Sequence, residues 1–100
     1  MAWKNLKELI SYSRGGITSK VILKTNKRNV TLFCMGAGTE ISEHTSTKEG
    51  FICVIEGKGI FNLKGEDIKM LPGIVIFMEK NAEHSLKAEK NTAFLLALSD

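Results

Sequence analysis

Residues 50–63 read Gly50-Phe51-Ile52-Cys53-Val54-Ile55-Glu56-Gly57-Lys58-Gly59-Ile60-Phe61-Asn62-Leu63. The run from Phe51 to Ile55 has no polar side, which is the mark of a strand buried on both faces. It is closed by the turn residues Gly57-Lys58-Gly59, and a second short apolar run follows at once. Outward from this hairpin the same pattern repeats. Short runs fall at Ile17–Lys24, Asn29–Met35, Glu40–Ser46, Gly50–Glu56, Gly59–Leu63, Asp67–Met70, Ile74–Met78, His84–Ala88 and Ala93–Leu98. Each is bounded by turn residues such as Gly36-Ala37-Gly38, Lys64-Gly65-Glu66 or Pro72-Gly73. Candidate strands at short, regular intervals, with no helix between the later ones, predict an all-β sandwich or barrel.

The lead-in differs. Trp3, Leu6, Leu9 and Ile10 have helical spacing, which predicts a short helix over 3–10, ending before Gly15-Gly16. A helix of this length is not stable alone, so it should dock on the barrel. The expected organisation is therefore residues 1–15 as helix and lead-in and 16–100 as one β-barrel domain, since 100 residues suit a single core. Ile74-Val75-Ile76-Phe77-Met78, like residues 51–55, is apolar on both faces. One face can line the barrel, and the other needs a cover larger than the helix supplies, which predicts a homodimer packed sheet to sheet.

Composition narrows the partners. The net charge is +3, but the lysines are scattered and only Arg14 and Arg28 occur as arginines, so a solvated surface is expected and no nucleic-acid partner. No apolar run approaches the ~20 residues that cross a bilayer, and Lys4, Lys7 and Glu8 interrupt the first ten residues, so no membrane association and a cytoplasmic location are expected. Cys34 and Cys53 lie in apolar runs without zinc spacing and are expected to pack as small reduced hydrophobes.

The chemistry-bearing residues are His44 and His84, the only histidines. Strict strand alternation places Ser42, His44 and Ser46 on one face and Ile41, Glu43 and Thr45 on the other. His84 shares its face with Leu86 and Ala88, which points it inward. By the same parity the interior should hold Ser42, His44, Ser46, Ile52, Val54, His84 and Leu86, with Glu40 a rim charge and Met35, Met70 and Met78 as filling. No serine or cysteine is placed as the nucleophile of a triad.

Gly38, His44 and Gly57, followed by Gly73 and His84, have the spacing of two family motifs, and on these residues the chain resembles the cupin superfamily from about residue 30 to residue 98. The resemblance implies a double-stranded β-helix, or jelly-roll barrel. It also implies a pocket that in the family holds a metal through three histidines and one glutamate. Here Ser46 stands in place of the second histidine, Gly50 in place of the glutamate with Glu49 beside it, and Ala88 in place of a later asparagine. If Glu49 turns inward, His44, Glu49 and His84 would resemble a site with two histidines and one carboxylate for Fe, Mn, Ni or Zn. Three readings of the histidine pair stay open: a metal site, a metal-free pocket for a small polar or anionic ligand that Ser42 and Ser46 help to bind, or structural rings without a ligand. The expected function is a small cupin-type binding protein that holds a metal ion or small ligand through His44 and His84. The rival is a metal-dependent enzyme of the dioxygenase or isomerase type acting on a small-molecule substrate.

Overall fold

The computed structural model describes residues 2–100. The chain runs through one helical turn, α1 (Leu6–Leu9), and nine strands: β1 (Ile17–Lys24), β2 (Arg28–Met35), β3 (Glu40–His44), β4 (Glu49–Glu56), β5 (Gly59–Leu63), β6 (Glu66–Met70), β7 (Val75–Met78), β8 (His84–Ala88) and β9 (Thr92–Ser99). They form a five-stranded sheet in the order β1-β2-β9-β4-β7 and a four-stranded sheet in the order β3-β8-β5-β6. Every pairing is antiparallel, and the crossed order winds the two sheets into a jelly-roll barrel. The strands expected from sequence are all present, with ends differing by a residue or two.

Alternation along the strands builds the core. Ile52 and Val54 of β4, Phe61 of β5, Met70 of β6, Met78 of β7, Leu86 of β8 and Phe94 of β9 turn inward and pack together between the sheets. The intervening residues of the large sheet are also apolar. Leu32, Cys34 and Ala93 form a second buried cluster on its outer face, under Leu9, Ile10 and Tyr12 of the lead-in. Both cysteines are free: Cys34 is buried and Cys53 half-buried.

The helix is shorter than the spacing predicts. Asn5 caps it, its side chain accepting from the Lys7 N–H at 3.1 Å, and Ile10 already leaves in extended conformation. One turn closes too few hydrogen bonds to propagate, and Leu9, Ile10 and Tyr12 bury more apolar surface by lying along the sheet. Two polar contacts pin this strap. Lys20 Nζ donates to the Leu9 carbonyl at 2.7 Å, and the Tyr12 hydroxyl donates to Glu56 Oε2 at 2.7 Å. Burial, and then the Glu56 carboxylate, push the Tyr12 phenol well above its ordinary range, so it stays a donor at any physiological pH.

The β4–β5 turn is held by close contact. Gly57 has φ +106°, and a Cβ there would overlap the Asn91 carbonyl oxygen and Thr92. Thr92, fully buried, accepts from the Lys58 N–H at 3.2 Å and reaches the Lys90 carbonyl at 2.7 Å. A side chain at residue 57 meets both a left-handed backbone and a wall of main chain. Gly57→Ala should therefore destabilise the protein by about 1–3 kcal/mol, read as a lower urea midpoint at unchanged slope.

Candidate functional site

The pocket lies between the sheets and depends on an irregularity in β3. Ile41 pairs with Leu86 and His44 pairs with His84, so three residue steps on β3 oppose two on β8. One extra residue makes a β-bulge, which changes the parity of everything beyond it. Ile41 and His44 consequently line the same interior cavity, although strict alternation separates them. Ser42 is sent to the outer face, where it is exposed beside Asn62 and Ser85. Ser46 lies past the end of β3, with its hydroxyl accepting from the Lys48 N–H at 3.1 Å. The expectation that Ser42 and Ser46 help to bind a ligand is therefore corrected: neither hydroxyl lines the cavity.

His84 is 7% exposed, whereas His44 is open to solvent at the mouth. Their ring centroids are 4.1 Å apart, edge to face, and His84 stacks flat on Phe61 at 5.6 Å. Both rings are oriented in the same way, each by the carbonyl two residues earlier. Nδ1 of His44 lies 2.7 Å from the Ser42 oxygen, and Nδ1 of His84 lies 2.9 Å from the Ala82 oxygen. A carbonyl only accepts, so each Nδ1 carries its proton, and each neutral ring is left with a bare Nε2. Among the described residues neither Nε2 has a hydrogen-bond partner. Ser42 thus contributes to the site through its backbone rather than its hydroxyl.

The remaining lining is apolar: Phe33, Ile41, Ile52, Phe61, Met78, Leu86, Phe94 and Leu96 around a cavity of about 110 Å³. Of the interior residues expected by parity, Ile52, His44, His84 and Leu86 line it; Val54 is buried in the adjoining core. Phe33, Phe61, Phe94, Leu96 and, beyond the bulge, Ile41 were not marked by their sequence environment. A larger trough of about 740 Å³ runs over the outer face of the small sheet, but it holds neither histidine. Its charges are partly matched, Lys87 with Glu40 at 3.4 Å and Asp67 with Asn62 at 2.8 Å.

Glu49 does not join the pair. β4 pairs without a shift from Glu49 through Val54, so Gly50, Ile52 and Val54 face inward while Glu49 opens on the outer side with Phe51, Phe77 and Glu79. Gly50 itself has no room for a side chain, since a Cβ there would overlap the Ala97 carbonyl oxygen of β9. Among the described residues no three of His, Cys, Asp or Glu come together as a metal cluster. Two imidazoles in an apolar bowl do not fit the three-histidine, one-glutamate donor set implied for Fe, Mn, Ni or Zn. The inclusion of Glu49 in such a site is corrected by the plain alternation of β4.

Burial lowers the His84 pKa from its ordinary 6.5, and the nearby His44 acts in the same direction against the Ala82 carbonyl. The unfolded chain therefore takes up this proton more readily than the folded one. The stability this ring contributes is complete above the unfolded value of about 6.5 and is lost as the pH falls below it. Wild-type protein should lose melting temperature between pH 7 and pH 5 more steeply than His84→Gln, as followed by thermal denaturation at several pH values.

Comparison with known proteins places this geometry. The Cupin domain family model matches residues 31–98. An uncharacterized protein of Aquifex aeolicus (strain VF5) is 27% identical over 97 residues, covering 95% of this chain and 80% of that protein. A solved structure from Thermus thermophilus superposes with a TM-score of 0.90 at 19% identity, covering 99% of this chain and 97% of the other. An RmlC-like cupin from Desulfovibrio desulfuricans gives 0.88 at 22% identity, covering 99% and 96%. Salicylate 1,2-dioxygenase from Pseudoaminobacter salicylatoxidans gives 0.79 at 19% identity, with 84% of this chain matching 26% of that enzyme. At such identities the likeness to solved structures concerns the fold, while the matched family model covers both histidines and most of the barrel. The chain belongs to the cupin family.

Proposed function

We propose that this protein is a binding module whose barrel pocket takes one small organic molecule, with an apolar body inside and a polar group against His44 and His84. The observation that carries this reading is the convergence of two oriented imidazoles, 4.1 Å apart, on an otherwise apolar cavity. Such a concave apolar site with few convergent polar groups is the usual form of a small-molecule pocket. The rival reading, a metal-dependent dioxygenase or isomerase, has the fold of the salicylate dioxygenase in its favour. Among the described residues no third protein ligand stands beside the two rings, and no carboxylate or lysine lines the cavity as a general base. Protein purified without added metal should carry well under one equivalent of Fe, Mn, Ni or Zn, and a fragment library read by NMR should yield molecules that shift the Phe61 and His84 resonances. Stoichiometric metal that disappears in His84→Ala would overturn the binding-module reading in favour of the enzyme.

The reading includes a second copy of the chain. Phe77 is 74% exposed, and Phe51, Val75 and Ile74 are exposed around it on β4, β7 and the turn before β7. The N-terminal strap lies over the Leu32 and Cys34 side of the sheet and leaves this end bare. β7 is also an edge strand, with one side of its main chain unpaired. Isologous packing, in which the same flat patch meets its own copy, covers both partners at once. The patch forms the apolar centre of an interface, and flanking strand residues extend it toward the ~800 Å² per partner of a standard dimer. Light scattering at micromolar concentration should give twice the chain mass, and Phe77→Asp should give the monomer mass. A monomeric wild-type protein would remove the second copy from the reading.

A further inference from the structure

Building on the pocket reading above, we propose that the ligand's polar group must supply hydrogens: a neutral hydroxyl or N–H on a body no larger than a benzene ring, and not a carboxylate, phosphate or other anion. The cavity has few groups to offer a polar ligand. Eight of its lining side chains are hydrocarbon or thioether and donate nothing. The two that remain are histidines whose Nδ1 protons are already committed to the Ser42 and Ala82 carbonyls. Each neutral ring therefore presents a lone pair to the pocket and no proton. The tautomers are set by the backbone, so neither ring can exchange roles without breaking its own orienting bond.

An anion would meet two lone pairs and no side-chain donor in an apolar surround, leaving its charge desolvated and unpaired, a costly arrangement. A hydroxyl or amide N–H meets acceptors that are already aimed. The ring of His84 is further kept neutral by its burial, so it does not become a donor at ordinary pH. Size follows from the cavity. A dry cavity of about 150 Å³ accepts benzene, and this one measures about 110 Å³ and opens toward the exposed ring of His44. Being smaller than that benchmark, the cavity would hold such a ring against Phe61 and Leu86 only with its polar edge extending into the open mouth.

The test compares three probes built on one benzene ring, at pH 8. Phenol supplies a donor, toluene supplies none, and benzoate supplies only acceptors. Binding is read by NMR titration of the Phe61 and His84 signals. Phenol should bind roughly tenfold more tightly than toluene, the range of one hydrogen bond, and benzoate should bind most weakly. His44→Ala, altered at the exposed mouth, should shrink the preference for phenol over toluene, since His84 is then the one acceptor left. Equal binding of phenol and toluene, or tighter binding of benzoate, would overturn the donor requirement and leave the pocket reading standing. Failure of all three probes to shift the pocket signals would overturn the pocket reading itself.

Discussion

The pocket depends on one extra residue in β3. Between its pairings at Ile41 and at His44 the strand takes three steps while β8 takes two. Without that bulge His44 would share the outward direction of Ser42, and His84 would face the cavity alone. With it, a ring from an edge strand meets a ring from its neighbour, and the Ser42 carbonyl is left free to orient it. The local irregularity is of the kind that recurs next to binding sites, where a bulged strand redirects one side chain.

Around this pair, the barrel settles the chemistry by what it withholds. The Phe61 ring stacked on His84 and the Phe33–Phe94 stack behind it, centroids 5.3 Å apart, make the cavity wall hydrocarbon. The main chain of β9 stands against Gly50, so no side chain fits at the position where the resemblance implies a carboxylate. Two imidazoles in such a wall form a different device from a metal centre, although the scaffold is the same. A fold shared at about 20% identity carries many chemistries, and the side chains of the site decide among them.

The outer side of the large sheet follows the same constraint of covering apolar surface. Strands apolar on both faces need two covers, and the chain provides only part of the second. The opposite sheet covers the inside, and outside lies a strap held at Tyr12–Glu56 and Lys20–Leu9. The strap is extended because its apolar residues gain more from lying along Leu32 and Cys34 than from completing a helix.

The sequence alone determined the all-β class, the strand positions, the docking of the lead-in and the inward direction of His84. These follow from apolar periodicity, turn residues and glycines, which are local and legible. The spacing of Gly38, His44, Gly57, Gly73 and His84 was enough to indicate the family. Strict alternation along β3 placed Ser42 and Ser46 with His44, and that failed because a bulge is set by pairing with β8, not by the residues of β3. Glu49 could be placed only by the unbroken register of β4 against β9. The bare Nε2 atoms, the aromatic wall and the closed space at Gly50 each arise from residues distant in the chain. Only the closed barrel, which brings those residues within contact, decided what the pocket can hold.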